Sequence, residues 1–379
     1  MTAGESHGPQ LTVIVDGVPA GLEIDAARDL DPDLRRRQGG HGRGKRQQIE
    51  TDTAQITGGV RGGRTLGSPV AMTVVNRDWD NWKGPMQVGA TDFTKKPVTR
   101  VRPGHADLAG ILKYDLEDAR DVLERASARE TAARVAAGAV AKALLRVAGT
   151  TVSSRVVRIG DVVAADDAGD RCQVESSPVR CADPVAAERM VAAIDAARAA
   201  GDTLGGTALV TAHQVVAGLG SYMQWDRKLD GLIAQAMCSI PSVKGVEIGD
   251  AVLAAASPGS AVHDRPAFAP ERGFHHLSNR QGGLSGGVTN GEDVWARVHF
   301  KPISTLLTPL RSVDIRSGEE TNAHYERSDI CVVPAGAVVA EAMLALVLAN
   351  ALLDKFGGDS VGELRRNLDA YRATLGRLR

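Results

Sequence analysis

The chain has 379 residues, 43% of them hydrophobic and 24% charged, with a formal net charge of −1. This is the make-up of a soluble globular protein with room for a sizeable core, and it makes any basic site local rather than global. Aromatic residues are only 3% while glycines number 42, so the core must rest on Ala, Val, Leu and Ile with frequent close backbone approaches.

Residues 10–16 alternate Leu11, Val13 and Val15 against Thr12, Ile14 and Asp16, which predicts a strand ending in the Asp16-Gly17 turn. Asp31-Pro32 opens a short helix to Arg37, followed by a glycine-rich loop from Gln38 to Arg46. Residues 53–75 read as two strands around the turn Gly58–Gly67, and Trp79 and Trp82 fall in an irregular segment beyond. Ser127 followed by Glu130 is a capping-box pattern: Ser127 would accept from the Glu130 N–H and Glu130 would reach back to Ser127. The alanine-rich helix it opens is expected to stop near Gly149, a C′ glycine.

Val152–Val163 and Leu204–Val216 read as strands, with a polar surface insertion at Ala164–Val179 and a helix from Asp183-Pro184 to Gly201 between them. A helix over roughly Asp226–Met237 precedes a strand near Val246, and the glycine-rich turn Gly282–Gly291 precedes the strand Val294–Phe300. The two glycine-rich turns resemble each other, a hint of an internal two-fold arrangement. Ala335–Leu353 has the length of a membrane span, but Glu341 and Asn350 interrupt it, and Pro334 with Gly357-Gly358 marks it as a buried helix. The start of the chain lacks a basic segment followed by an apolar one, so no signal peptide is expected. Cys172, Cys181, Cys238 and Cys331 form no CxxC pair and read as free thiols of a reducing compartment, which makes the cytoplasm the expected location.

Two histidines sit where a ligand can approach the backbone: His7 between glycines, and His105 in Arg102-Pro103-Gly104-His105 with Asp107 two residues on. Both suit acid–base work. His275-His276 is the nearest approach to a metal pair, without ligand spacing around it, and no metal is expected. Arg37, Arg43, Lys45, Arg46, Arg102, Arg125, Arg129 and Arg327 lie in short Gly- or Ser-rich contexts; if several converge, the ligand carries more than one anionic group. Lys301-Pro302-Ile303-Ser304-Thr305 adds donors suited to phosphate, and Asp329 is placed as a base or a support. Arg35–Arg46 has the look of an arginine–glycine RNA-binding segment, but the chain lacks the aromatics for base stacking, and nucleic acid is not an expected partner. No GxGxxG lies between a strand and a helix, and no P-loop occurs.

The order of these residues matches one family. GESHG at 4–8, RRRQGGHGR at 35–43, RPGHAD at 102–107, ERASARETAARVAAGA at 124–139, SIPSVKGVEIG at 239–249, SNRQGGLSGGVTNGE at 278–292, KPIST at 301–305 and RSD at 327–329 strongly resemble chorismate synthase. The resemblance implies an α+β fold: a single β-α-β sandwich domain over 1–379 (core about 2–355, polar tail 356–379), with central alanine-rich helices between antiparallel sheets and an internal pseudo-two-fold. It implies a carbon–oxygen lyase that removes phosphate from 5-enolpyruvylshikimate 3-phosphate by anti-1,4 elimination, giving chorismate, with reduced FMN required but not consumed. A flavin-dependent NAD(P)H oxidoreductase is the alternative that would share these positions.

By position, the resemblance assigns FMN binding to Arg125, Ala126, Ser127, Gln235, Ala236, Gly286, Lys301, Pro302, Ile303, Ser304, Thr305 and Arg327. Arg37 and Arg43 fall to NADP or the substrate phosphate, with NADPH as an indirect reductant, and Arg102 and Arg129 to substrate. His7 would protonate reduced flavin and His105 the departing phosphate; Asp329 would assist proton removal through flavin N5, and Ser6 would support the local hydrogen bonding. A homotetramer without a membrane or nucleic-acid partner is implied. The sequence departs from the family at Ile330, where a small residue or proline is commoner, at Gln281 in place of alanine, and in having six residues before His7 where the family has a few more.

Overall fold

The structure, a computed structural model, describes residues 1–44, 51–89, 97–165, 170–326 and 328–377. Two antiparallel sheets enclose two long helices. In the four-stranded sheet the order is Thr2–Ala3, Gln10–Val15, Val70–Val75, Ala54–Gly58. Leu11, Val13, Val70, Met72 and Val74 are buried on its inner face, as the period-2 pattern requires. The five-stranded sheet runs Val243–Ile248, Val294–Phe300, Gly206–His213, Thr151–Ile159, Val162–Val163.

The helix Thr131–Val147 packs on the first sheet, the helix Val333–Phe356 packs on the second, and the two helices pack on each other. Small residues allow this contact. A Cβ on Gly138 would lie 2.3 Å from that of Ala342, so the helices touch backbone to backbone there. The long apolar helix is thus the core of the sandwich: it has the length and hydropathy to cross a membrane, and most of its side chains are buried in protein. All four cysteines are free thiols, and burial pushes that of Cys331 up to about 11.

The helices entered through Asp31-Pro32 and Asp183-Pro184 form over Asp31–Gln38 and Pro184–Ala199, the second with the Asp183 carboxylate accepting from the N–H groups of Val185 and Ala186. The capping box does not form. Ser127 accepts from the N–H of Arg129 at 3.3 Å, a 3₁₀ turn covers Ala128–Glu130, and the Glu130 carboxylate turns to Arg134 at 2.9 Å. An i,i+4 guanidinium outcompetes a neutral backbone N–H for that carboxylate. The helix ends as expected, with Gly149 at φ +80°. Two helices without a forecast, Asp107–Tyr114 and Ala119–Ala126, precede it. The polar tail is also a helix, Val361–Arg377, seated on the core through buried Val361, Leu364 and Leu368. Ala164–Val179 includes a short helix, Arg171–Ser176.

Candidate active site

The site is built from the N-terminal segment, the helix Ala119–Ala126, the turn 102–107 and the segments 323–326 and 328–329. Residues 4–8 leave the edge strand and cross the end of Ala119–Ala126: the Ser6 N–H donates to the carbonyl of Glu124 at 2.9 Å and the His7 N–H to its Oε2 at 2.8 Å. His7 Nδ1 lies 2.8 Å from Glu124 Oε1, and the imidazole stacks on Trp82 with ring centroids 3.7 Å apart. The Ser127 hydroxyl donates to that of Ser6 at 3.1 Å. Arg120 donates to Glu124 at 3.2 Å and to Glu326 at 2.8 Å, while His324 lies 3.1 Å from Glu326. Burial works to raise the Glu124 carboxyl, but the bonds from His7 and the Arg120 charge outweigh it and hold it below its ordinary value. Glu326 is brought down to about 2, its burial outweighed by His324 and Arg120.

A second histidine–carboxylate pair lies in the turn 102–107. His105 Nδ1 is 2.5 Å from Asp107 Oδ1, and Arg102 grips the same carboxylate at 2.8 and 2.9 Å. Asp107 has no solvent exposure; burial opposes its charge, and the hydrogen bonds from Arg102 and His105 overcome it and hold the carboxyl far below its usual range. Arg102 also reaches the Thr305 hydroxyl at 3.3 Å. The Ser304 hydroxyl donates to the carbonyl of Gly104 at 2.8 Å and Lys301 Nζ donates to Ser304 at 2.9 Å, so Lys301, Ser304 and Thr305 gather beside His105. Pro302 and Ile303 serve as backbone, the Ile303 carbonyl accepting from Thr203 at 2.8 Å.

The two pairs are joined by chain. Ser328 donates to the Thr305 carbonyl at 3.1 Å, and Asp329 accepts from Arg43 at 2.6 Å and from the Gly44 N–H at 2.7 Å. The glycine loop can reach Asp329 because Gly42, at φ +87°, leaves no room for a Cβ: one would lie 2.9 Å from Ile194. Ile330 fits this turn, its N–H donating to the Gly42 carbonyl at 2.8 Å. Arg37 and Arg129 meet at Asp52, with Arg129 at 2.5 and 2.6 Å and Arg37 at 3.6 Å; Arg37 also donates to Thr131 and to the Ala128 carbonyl.

Other expected positions stand apart. Arg125 turns to the backbone of Thr2 and Gly4 at 3.1 Å and lines an open cleft with Glu130, Arg134 and Ser239; Ala126 ends its helix. Gln235 and Ala236 line a separate cavity of 730 Å³ with Ser221, Asn350 and Asp354. Gly286, at φ +63°, faces Tyr222, the neighbour of Ser221. Arg327, Lys45 and Arg46 lie outside the described residues. Sequence reasoning missed Glu124, Arg120, Trp82, Glu326 and His324. Glu124 stood inside a recognised motif, but nothing local links it to His7, 117 positions away.

One further constellation has the order hydroxyl, imidazole, carboxylate: Ser153 Oγ is 2.9 Å from His213 Nε2, whose Nδ1 is 2.7 Å from Asp293. Its imidazole and carboxylate are 41% and 44% exposed, so water screens the pair and competes for both groups. The first two histidines, walled by protein, are the better acid–base centres.

Two features suit an anionic ligand. Burial, with the nearby Lys244 charge, pulls the Lys301 ammonium below its ordinary value, and among the described residues no carboxylate pairs with it. Arg43 Nε is buried without a hydrogen-bond partner among the described residues. A phosphate or carboxylate would satisfy both donors.

Comparison with known proteins gives one answer. The chorismate synthase family profile matches residues 1–353. The chorismate synthase of Moorella thermoacetica is 54% identical over 99% of this chain and 98% of its own length, and that of Geobacter sulfurreducens is 52% identical over 98% and 97%. A crystal structure of a chorismate synthase superposes with a TM-score of 0.80 at 39% identity, covering 100% of this chain and 98% of the other. The chain belongs to the chorismate synthase family.

Proposed function

We propose that this chain converts 5-enolpyruvylshikimate 3-phosphate to chorismate and phosphate at the floor described above. The observation that carries the reading is that two histidine–carboxylate pairs, His7–Glu124 and His105–Asp107, are both tied to Glu326, Ser328 and Asp329, the first through Arg120 and the second through Arg102 and Thr305, with Arg43 on Asp329. The reaction breaks the carbon–oxygen bond to phosphate and removes a ring proton. It asks for proton handling and for neutralisation of a leaving anion, and for no protein nucleophile.

His105, tied to Asp107 at Nδ1, would offer Nε2 to the departing phosphate, and Arg102, whose Nη2 lies 3.3 Å from that nitrogen, would offset the charge that develops. Asp329, held by Arg43 and Gly44, is the base on the path of the ring proton. His7 would pass a proton to reduced flavin, and Ser6, bonded to Ser127 and to the Glu124 carbonyl, would fix the loop that presents it. Reduced FMN, when bound, supplies reversible one-electron chemistry and is not consumed. Lys301 to Thr305, Ser127 and Arg327 would hold it, with NADPH as an indirect reductant.

Gln235 and Ala236 belong to the flavin set but border the separate cavity, and Gly286 of the same set faces Tyr222; Tyr222, Met223 and Trp225 nearby are 71%, 72% and 83% exposed. In a homotetramer such a surface is covered by another copy, and these residues then serve a neighbouring site. Two sheets around two long helices support the reading of an internal two-fold, and four free thiols support a cytoplasmic location.

The test is anaerobic turnover of 5-enolpyruvylshikimate 3-phosphate with photoreduced FMN, following phosphate, chorismate and flavin redox state together. Many turnovers with the flavin still reduced are expected. Stoichiometric flavin oxidation would instead identify an NAD(P)H oxidoreductase.

A further inference from the structure

The carboxylate behind His7 is in an unfavourable place. Glu124 lies in the last turn of the helix Ala119–Ala126, where the negative end of the helix dipole disfavours an anion, and only 2% of it is exposed. Helix stability does not explain it. Its two oxygens are instead divided over one neighbour: Oε2 accepts the His7 backbone N–H at 2.8 Å and Oε1 faces His7 Nδ1 at 2.8 Å. The Ser6 N–H donates to the Glu124 carbonyl at 2.9 Å, so the backbone before the histidine is fixed by the same residue. Trp82 stacks on the imidazole at an interplanar angle of 25°, which closes a face of the ring and leaves its edge for contacts.

Arg120 keeps the carboxylate in place. It donates to Oε1 at 3.2 Å, lies over the Trp82 ring at 5.3 Å and reaches Glu326 at 2.8 Å, the acidic group that His324 also meets. An ionised carboxylate has no proton to give and acts only as an acceptor. The ring nitrogen facing it must therefore be the donor, and the tautomer of neutral His7 follows from that requirement.

We propose that Glu124 is a positioning residue of the reaction, holding neutral His7 as the Nδ1–H tautomer so that Nε2 is the nitrogen that exchanges a proton with the bound ligand. This rests on the reading of His7 as an acid–base group of the site. Arg120 is the brace that joins Glu124 to the segment carrying Asp329, so the two ends of the proton-handling machinery share one mount.

The direct test needs neither flavin nor turnover. Protein labelled with ¹⁵N-histidine is examined by magic-angle-spinning NMR at a pH where the ring is neutral, and the His7 signals are assigned by their loss in His7→Asn. A protonated-type Nδ1 and a bare Nε2 are expected; a bare Nδ1, or a pair of averaged signals, overturns the proposal. The kinetic test is Glu124→Gln, nearly the same shape without the charge. We expect kcat to fall about tenfold to a hundredfold while KM changes less than about threefold, because a mis-set proton-transfer group is felt in the chemical step. Unchanged kcat overturns it. If Glu124→Gln fails to fold, as circular dichroism would reveal, the wild-type NMR result decides alone. Failure of the wider reading looks different: His7→Asn would then turn over at the wild-type rate. Slow His7→Asn with normal Glu124→Gln removes Glu124 and leaves His7.

Discussion

The replacement of Glu341 by glutamine tests the physical account of the core most severely. Glu341 sits inside the long central helix with no exposure, and Arg36 bonds it at 2.7 and 2.8 Å, Lys142 at 2.6 Å and the Ser154 hydroxyl at 2.6 Å, with Arg180 at 3.5 Å. Asp33 and Glu175 bond the same cations, so the carboxylates Asp33, Glu175 and Glu341 balance Arg36, Lys142 and Arg180. Glu341→Gln keeps the volume and leaves one buried positive charge uncompensated, which costs about 3–5 kcal/mol. Burial works to raise the Glu341 carboxyl and is outweighed by the Lys142 and Arg36 charges, so its folded value lies well below the unfolded one. Its stabilisation is therefore complete above the unfolded carboxylate range, near pH ~4.5, and is lost as pH falls below it. Urea titrations followed by circular dichroism, at pH 7 and at pH 4, measure both effects. A loss under about 1 kcal/mol at neutral pH would refute the reasoning. The double change Glu341→Met with Lys142→Met, which restores charge balance with apolar side chains, should be more stable than Glu341→Gln alone.

His105→Ala should keep flavin binding, measured by fluorescence titration, and slow turnover about a hundredfold, the effect of a lost general acid; near-normal turnover would remove His105 from the mechanism. Gly138→Ala puts a methyl 2.3 Å from that of Ala342 and should cost about 1–3 kcal/mol in thermal or urea unfolding, with no loss if the helices can part. Glu326, held at about 2 by His324 and Arg120 against its burial, gives stability that is present above pH ~4.5 and disappears as pH falls towards 2. Glu326→Gln should flatten the acid limb of the stability curve over that window, and an unchanged limb would show that the pair contributes nothing.

What the sequence disclosed followed from local chemistry. Asp-Pro pairs set helix starts because aspartate caps and proline tolerates the first turn, and period-2 runs set strands because one face is buried. The helices Asp107–Tyr114 and Ala119–Ala126 escaped because Gly110 interrupts the pattern of the first. That glycine has a tertiary reason: a Cβ there would lie 2.4 Å from Val122 of the second helix. The C-terminal helix was hidden by its charge, although Val361, Leu364, Leu368 and Tyr371 follow a helical stripe and only that stripe meets the core. In the site, the motifs named His7, His105 and the surrounding cations, but their carboxylate partners come from 117 residues away for His7 and 77 for Arg129. No local pattern encodes such pairings.

The same pairings change what the arginines mean. Counting them in the sequence suggests a ligand with many negative charges, yet the protein neutralises several itself. Asp52 serves Arg37 and Arg129, Asp107 serves Arg102, and Asp329 serves Arg43, while Arg125 is spent on backbone carbonyls. Leaving Arg125 aside, Arg37, Arg129, Arg102, Arg43, Arg120 and Lys301 face Asp52, Asp107, Asp329, Glu124 and Glu326, a surplus of one positive charge among the described residues. A substrate with two carboxylates and a phosphate more than cancels that surplus, so binding it makes the site net negative and favours departure of phosphate with the proton that His105 can give. Carboxylates placed behind the cations would also keep them from binding the product phosphate too firmly, because each guanidinium already meets an anion, Arg37 and Arg129 sharing Asp52. On the proposed roles, the pairing that looks like wasted charge would let one site both capture a polyanion and release its leaving group.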